Sequence, residues 1–415
     1  MMRAAAAALG PTRLWIAHRG AWARAHRRGD VRATASAQEL PDDGGPSHLV
    51  TDRRLQAFLE AEVTHFAAKP RKALTLEELL RATASPHSLA QCIHQEIPKH
   101  FAARMRQITE VPGWEEDEHL AELHRRYSES FSEMRMIEVG QDLAEFTDVV
   151  WGLKERQHKA VLLIGHLRDG RCKSIGEDER EFWERWMVSF LRSRTSIEML
   201  TSHYLAITDQ MARGTGTATG IVDPACDPAV ICEGAAQIAK ALCLSRVGVE
   251  PEVHIEVRSR LATAFSYVPR YLHYMLVELL KSRCEATAQA ALVSSIAEPI
   301  PAKPIHVVIC SDNHRVAIRI RDLSGGVPFD LQPRVWDFLC PGYSMDHLYD
   351  VNIHTMPDSG YGLGLPQVKL VAEYLGGKVT LRSLPDYGDD LHLFLPRIDI
   401  APFLTSLAGE QGQAE

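Results

Sequence analysis

No apolar run in this 415-residue chain approaches the ~20 residues needed to cross a bilayer. CxxC pairs are missing as well. The eight cysteines, at positions 92, 172, 226, 232, 243, 284, 310 and 340, stand singly, which argues against a zinc site and for free thiols in a reducing compartment. No GxxxxGK[ST] occurs, so phosphate binding by a mononucleotide P-loop is excluded. Acids are almost missing from the first 38 residues, where Asp30 alone stands against Arg3, Arg13, Arg19, Arg24, Arg27, Arg28 and Arg32. Ala4 to Ala8, Leu14, Trp15, Ile16 and Trp22 lie between them. Arg-rich, acid-poor and amphipathic is the profile of a mitochondrial transit peptide, and a mitochondrial matrix would also suit the free thiols. The competing reading is a disordered basic tail. Without this segment the chain is more acidic than its formal charge of −8, which argues against nucleic acid as a partner.

What is present points to two or three soluble domains, with 45% hydrophobic and 24% charged residues. The expected division is a transit peptide over 1–40, a helical domain over 41–213, a mixed domain over 214–400 and a tail over 401–415. Gln38 to Ser47 reads as a linker. From Leu55 the apolar positions (Leu55, Phe58, Leu59, Val63, Phe66) recur at helical spacing. Thr75-Leu76-Glu77-Glu78 has capping-box spacing. Helical runs follow over Ser88–Ile108 with an expected interruption at Ile97-Pro98, then from Leu120 to Phe131, over Met136–Leu167 and over Phe182–Ala206. Four long helices with short breaks predict an antiparallel bundle. His94, His124, His158 and His203 lack metal spacing and are expected at partly exposed positions.

The small, Gly-rich run from Met211 to Gly220 is the expected hinge. Beyond it, helices are predicted over Pro228–Cys243, Tyr271–Leu292 and Pro366–Leu375, the last stopped by Gly376-Gly377. Strands are predicted over Glu252–Val257, Ile305–Cys310, Val316–Ile320, Lys378–Ser383 and Leu391–Leu395, with a tight turn at Asp312-Asn313-His314. Helices on one mostly antiparallel sheet make this half α+β.

Three pieces of that half carry chemistry. Glu278-Leu279-Leu280-Lys281-Ser282 lies on a helical run, and Tyr274, Glu278 and Ser282 share one face of it. Asp322-Leu323-Ser324-Gly325-Gly326 leaves a strand into a turn. Gly360-Tyr361-Gly362-Leu363-Gly364-Leu365-Pro366 opens a helix, where glycines and the helix N-terminus favour a phosphate. Each alone has a plain structural reading: an exposed carboxylate, a turn-capping Asp, a tight turn. In this order, closed by two strands, they resemble the Bergerat ATP-binding fold. Leu74 to Leu80, Glu96-Ile97-Pro98, Ala103-Arg104 and Ser193-Arg194-Thr195-Ser196-Ile197-Glu198-Met199-Leu200 extend the resemblance. With Val268-Pro269 and Ala372 to Gly377, they make the chain similar to the mitochondrial pyruvate / branched-chain 2-oxoacid dehydrogenase kinases over almost everything after the leader.

That resemblance implies an N-terminal four-helix bundle followed by a Bergerat-type α/β sandwich, binding ATP and Mg²⁺. It implies a protein serine kinase that phosphorylates the decarboxylase component of a 2-oxoacid dehydrogenase complex and down-regulates it. The bundle would dock on a lipoyl domain of the acyltransferase, and the chain would form a homodimer. Glu278 would be the general base, with Tyr274 beside it. Asp322 would hold the adenine amino group and Ser282 the metal. Gly326, Gly342, Ser359, Gly360, Gly362, Gly364, Leu365 and Gly388 would complete the nucleotide site.

The chain departs from the family pattern at several points. Ser282 replaces a metal-binding Asn, and Glu285 replaces an Arg. Ser324 stands for a Gly, and Pro341-Gly342 for two hydroxyl residues. Asp389 follows Gly388 where a Thr is expected, bringing a carboxylate toward phosphate. Two readings therefore stay open: an active kinase, or a pseudokinase that binds and regulates the same complex without phosphotransfer. A two-component histidine kinase is disfavoured, since no compact His-box helix pair feeds the ATP half.

Overall fold

The computed structural model describes residues 52–71, 75–81, 85–214, 219–294, 302–339 and 363–397. The transit-peptide, linker and C-terminal-tail expectations lie outside these residues.

Helices α1 (Asp52–Ala68) and α2 (Leu76–Arg81) lead into four long ones. These are α3 (Pro86–Thr109), α4 (Glu118–Met136), α5 (Ala144–Ser174) and α6 (Glu177–Ala212). The capping box before α2 forms in both directions. Glu78 N–H donates to Thr75 Oγ1 at 3.2 Å and Thr75 N–H to Glu78 Oε2 at 3.0 Å. Ser85 caps α3 with Pro86 at its first position, and Asp117 caps α4 through the amides of His119 and Leu120.

Pro98 does not interrupt α3, contrary to the sequence expectation. A proline inside a helix removes one backbone donor, a penalty of about 3 kcal/mol. Here Ile97, Pro98 and Phe101 are all buried in the bundle core, and that packing offsets it. The run expected to be continuous from Met136 is instead broken until Ala144, whose amide donates to Asp142 Oδ1 at 2.9 Å. The four long helices close on an aromatic core in which Trp186 stacks on Phe190 and Tyr127 meets Phe190 edge-on.

His203 overturns the expectation of partial exposure. It is fully buried, with Nε2 3.1 Å from the Leu79 carbonyl, while Nδ1 accepts the Ile221 amide at 3.4 Å. Gly220 (φ 63°) is required beside it, because a Cβ there would lie 2.4 Å from His203 Nδ1. His94, His124 and His158 are half-buried.

The second half follows as β1 (Asp223–Cys226), α7 (Pro228–Val247), β2 (Val253–Val257), β3 (Phe265–Tyr267), α8 (Pro269–Ser294), β4 (Ile305–Ser311), β5 (Arg315–Arg321), α9 (Gly364–Tyr374), β6 (Lys378–Leu384) and β7 (Gly388–Pro396). β1 and β3 form a short antiparallel pair that sequence patterning missed, since four and three residues show no usable period. The main sheet has the order β2-β4-β5-β7-β6, parallel only between β2 and β4. Alternate residues of β5 and β7 are buried, so one face of the sheet lies under the helices and the other meets solvent. Among the described residues no helix is long and apolar enough to cross a membrane, and the seven described cysteines are free.

Candidate functional site

Helix α8 packs between α7 and α9 beside the sheet and presents Tyr274, Glu278 and Ser282 one turn apart. Tyr274 is 1% exposed and its hydroxyl has no hydrogen-bond partner among the described residues. Burial, reinforced by the nearby Glu278 carboxylate, holds its phenol well above the usual range. Glu278 is buried too, and both its oxygens accept from Lys281 Nζ, at 2.8 and 2.7 Å. The i, i+3 spacing on α8 sets this pair.

Asp322 sits just past the end of β5, 1% exposed. Its Oδ1 accepts the Ser324 amide at 3.0 Å and the Ser324 hydroxyl at 2.5 Å. Its Oδ2 accepts no hydrogen bond among the described residues, with Arg283 Nη1 3.5 Å away. Burial raises the Asp322 carboxyl above the ordinary carboxylate value, and Arg283 and the Ser324 bonds partly offset that. Ser324, a departure from the family's glycine, thus orients the Asp322 side chain.

The backbones of Asp322 and Asp389 exchange hydrogen bonds at 3.1 and 3.3 Å, and Gly388 lies alongside. A Cβ on Gly388 would stand 2.3 Å from the Asp322 carbonyl oxygen, so only glycine fits. Gly326 (φ 69°) is equally constrained: its Cβ would meet the Leu384 carbonyl at 2.4 Å. Gly364, also at positive φ, opens α9, and Leu365 behind it is buried. Gly342, Ser359, Gly360 and Gly362 lie outside the described residues.

Arg283 is the residue that sequence reasoning missed. Its guanidinium is 5% exposed, donates through Nη2 to Ser282 Oγ at 2.9 Å, and pairs through Nη1 with Asp389. Asp389 therefore does not offer a bare carboxylate to phosphate; its charge is matched across 106 residues of chain. Glu285 is engaged as well, with Arg246 of α7 at 2.5 Å. The Glu278–Lys281 pair was readable from spacing, whereas the Arg283–Asp389 pair had no local signal.

The described residues do not by themselves build a magnesium site. Among the described residues no group of three His, Cys, Asp or Glu side chains could hold a metal. The one expected ligand, Ser282, receives a guanidinium proton, and Lys281 and Arg283 would both repel a divalent cation. The nucleotide end fits better: an unbonded Asp322 oxygen, a glycine-only turn at Gly326, and a helix opening at Gly364.

Residues 73–223 match the sequence profile of the mitochondrial branched-chain alpha-ketoacid dehydrogenase kinase family. Residues 268–399 match that of the histidine kinase-, DNA gyrase B- and HSP90-like ATPases. The chain is 27% identical to the mitochondrial [pyruvate dehydrogenase (acetyl-transferring)] kinase of Arabidopsis thaliana, over 74% of this chain and 84% of the relative. Its identity to kinase isozyme 4 of Homo sapiens is 26%, over 80% and 83% of the two chains. Against the Drosophila melanogaster kinase it is 24%, over 73% and 76%. Helical half, ATPase-type half and long relatives agree in order and extent: over both halves the chain is similar to the mitochondrial pyruvate / branched-chain 2-oxoacid dehydrogenase kinases.

Proposed function

We propose that the chain is an ATP-dependent protein serine kinase of a mitochondrial 2-oxoacid dehydrogenase complex, phosphorylating its decarboxylase component and anchored through a lipoyl domain. The observation that carries this reading is the buried Asp322 oxygen that accepts no hydrogen bond among the described residues, 3.5 Å from Arg283 of the helix that also carries Glu278. Asp322 Oδ2 would accept from the adenine amino group. The α9 N-terminus would face the phosphates, and Glu278 would take the serine proton as the phosphoryl group leaves ATP. Lys281 Nζ donates to both oxygens of that carboxylate and would have to release it as substrate enters. A matrix location behind a cleaved leader, the 213/214 domain boundary and homodimer formation belong to the same reading.

One observation favours the second reading, a nucleotide-binding regulator without phosphotransfer. Lys281 and Arg283 occupy with fixed positive charge the region where the family would place a metal ion. The test is transfer of labelled phosphate from ATP to the intact complex by wild type and Glu278→Gln. Transfer that falls ~10²–10⁴-fold in the variant, with nucleotide affinity within a few-fold, supports the kinase. Nucleotide binding without any transfer by wild type leaves the regulator.

A further inference from the structure

A cavity of about 730 Å³ opens between the two halves of the molecule, away from Glu278 and Asp322. Its walls come from α3, from α6, from the segment after β5 at Pro333 to Asp337, and from Lys369 on α9. Five permanent cations line it: Arg71, Arg104, Arg185, Arg192 and Lys369. Only Glu184 and Asp337 oppose them. Glu184 is already committed, accepting the amides of Phe338 and Leu339 at 3.0 and 2.6 Å and so tying α6 to the nucleotide half.

The floor is built around a buried charge without a counterion. Arg104 is 1% exposed, and among the described residues its Nε and Nη1 have no hydrogen-bond partner. Its guanidinium lies over the Phe190 ring, 4.7 Å from the centroid, which supplies cation–π attraction but accepts none of its protons. Burial pushes Arg104 down to about 9, a sign of how poorly this environment compensates the charge. One helical turn earlier, His100 bonds Ser193 Oγ through Nδ1 at 2.6 Å and leaves a buried Nε2 without a partner. Burial and the neighbouring Arg104 push that imidazole down to about 3, so it stays neutral, and in the tautomer whose Nδ1 accepts the Ser193 hydroxyl proton its Nε2 is a donor. A buried guanidinium and a buried imidazole with open donors, under a rim of further cations, are what a small oxyanion completes.

We propose that this interdomain cavity is a binding site for a small polyanion of metabolite size, with at least two carboxylate or phosphate groups. One group bonds Arg104 and His100 at the floor and another meets Arg192 and Lys369 nearer the mouth. The volume lies in the range of small-molecule sites, and a residue as buried as Arg104 is reached by a compact group and not by a protein surface. Because α3 and α6 face α9 across it, a bound anion would draw the bundle and the nucleotide half together.

Calorimetric titration of citrate and of inorganic pyrophosphate into the full chain tests this, at matched ionic strength with chloride as control. The expected result is saturable one-to-one binding, tighter than millimolar, for at least one probe. Citrate alone would assign the site to carboxylates, pyrophosphate alone to phosphates, and both to the shared oxyanion chemistry. Arg192→Ala with Lys369→Ala, both away from the nucleotide residues, should weaken binding about tenfold or more. Arg104→Met should abolish it without lowering the melting temperature of the ligand-free protein. No saturable heat with either anion up to ~10 mM overturns the site, as does binding that the Arg192/Lys369 double variant leaves unchanged. If Arg104→Met fails to fold, the double variant alone decides.

Discussion

Two arginines lie in the two halves of the molecule at nearly the same burial, Arg104 in the bundle and Arg283 beside the nucleotide residues, in opposite surroundings. Arg283 has Asp389, Asp322 and the Ser282 hydroxyl around it. Arg104 has an aromatic ring and two nitrogens with no acceptor among the described residues. A buried charge is tolerated when partners return what desolvation removes, and it is a liability otherwise. Arg283 therefore belongs to the finished structure of its domain, while Arg104 is a residue whose partner has to come from outside. Matched substitutions can break this contrast. Arg283→Met should cost about 3–5 kcal/mol, because it strands two buried carboxylates. Arg104→Met removes a buried charge offset by an aromatic ring and no acidic partner among the described residues, and should leave stability unchanged or raised. Urea unfolding of both variants measures it, and equal losses would erase the distinction.

Acid should separate the two halves next. In the bundle, burial pushes His203 down to about 4 and His100 down to about 3, from an ordinary 6.5. Both are neutral in the folded state, while the unfolded chain binds their protons near pH 6.5. Their stabilising contribution is complete above pH 6.5 and is lost as pH falls through 4 and then 3. For His203 alone the loss is on the order of 3 kcal/mol by pH 4. Asp322 runs the other way. Its carboxyl is raised above 3.8, so its contribution is fully present below that value and declines as pH rises through the higher folded one. Hydrogen exchange, corrected for intrinsic rates, should therefore show bundle amides losing protection before sheet amides between pH 6.5 and 4. His203→Asn, which cannot take up the proton, should flatten the bundle's response.

What could be read from sequence was local. Thr75 and Glu78 are three residues apart and form their box. Asp312 Oδ1 accepts the amides of His314 and Arg315, both at 2.7 Å, and so makes the predicted turn. The Tyr274–Glu278–Ser282 ladder follows from helical period alone. What could not be read depended on tertiary partners. Pro98 looked like a break because its compensation is burial against other helices. Asp389 looked like a misplaced charge because Arg283 is 106 residues away. The departures at Ser324, Asp389 and Glu285 looked like erosion, yet each side chain has a specific partner. Erosion leaves groups without partners, so these pairings favour a site rebuilt around Arg283.

The smallest expected effect tests that last point at Glu285. This residue pairs with Arg246 at 2.5 Å across the α7–α8 contact, with its own side chain 26% exposed. Partial exposure screens the pair, so its coupling should be about 0.5–1 kcal/mol. A double-mutant cycle of Glu285→Gln and Arg246→Ala, followed by thermal unfolding, measures that coupling without counting the other contacts each side chain makes. If Glu285 is structural, the coupling is favourable and Glu285→Gln leaves nucleotide affinity unchanged. If its carboxylate instead opposes a bound phosphate, the coupling vanishes and the variant binds nucleotide more tightly. A charge pair at ~4 Å and an effective dielectric near 20 is roughly 4 kcal/mol, so even a quarter of that would tighten binding about fivefold. The short pair with Arg246 favours the first outcome, because a carboxylate already neutralised has little field left to set against a phosphate.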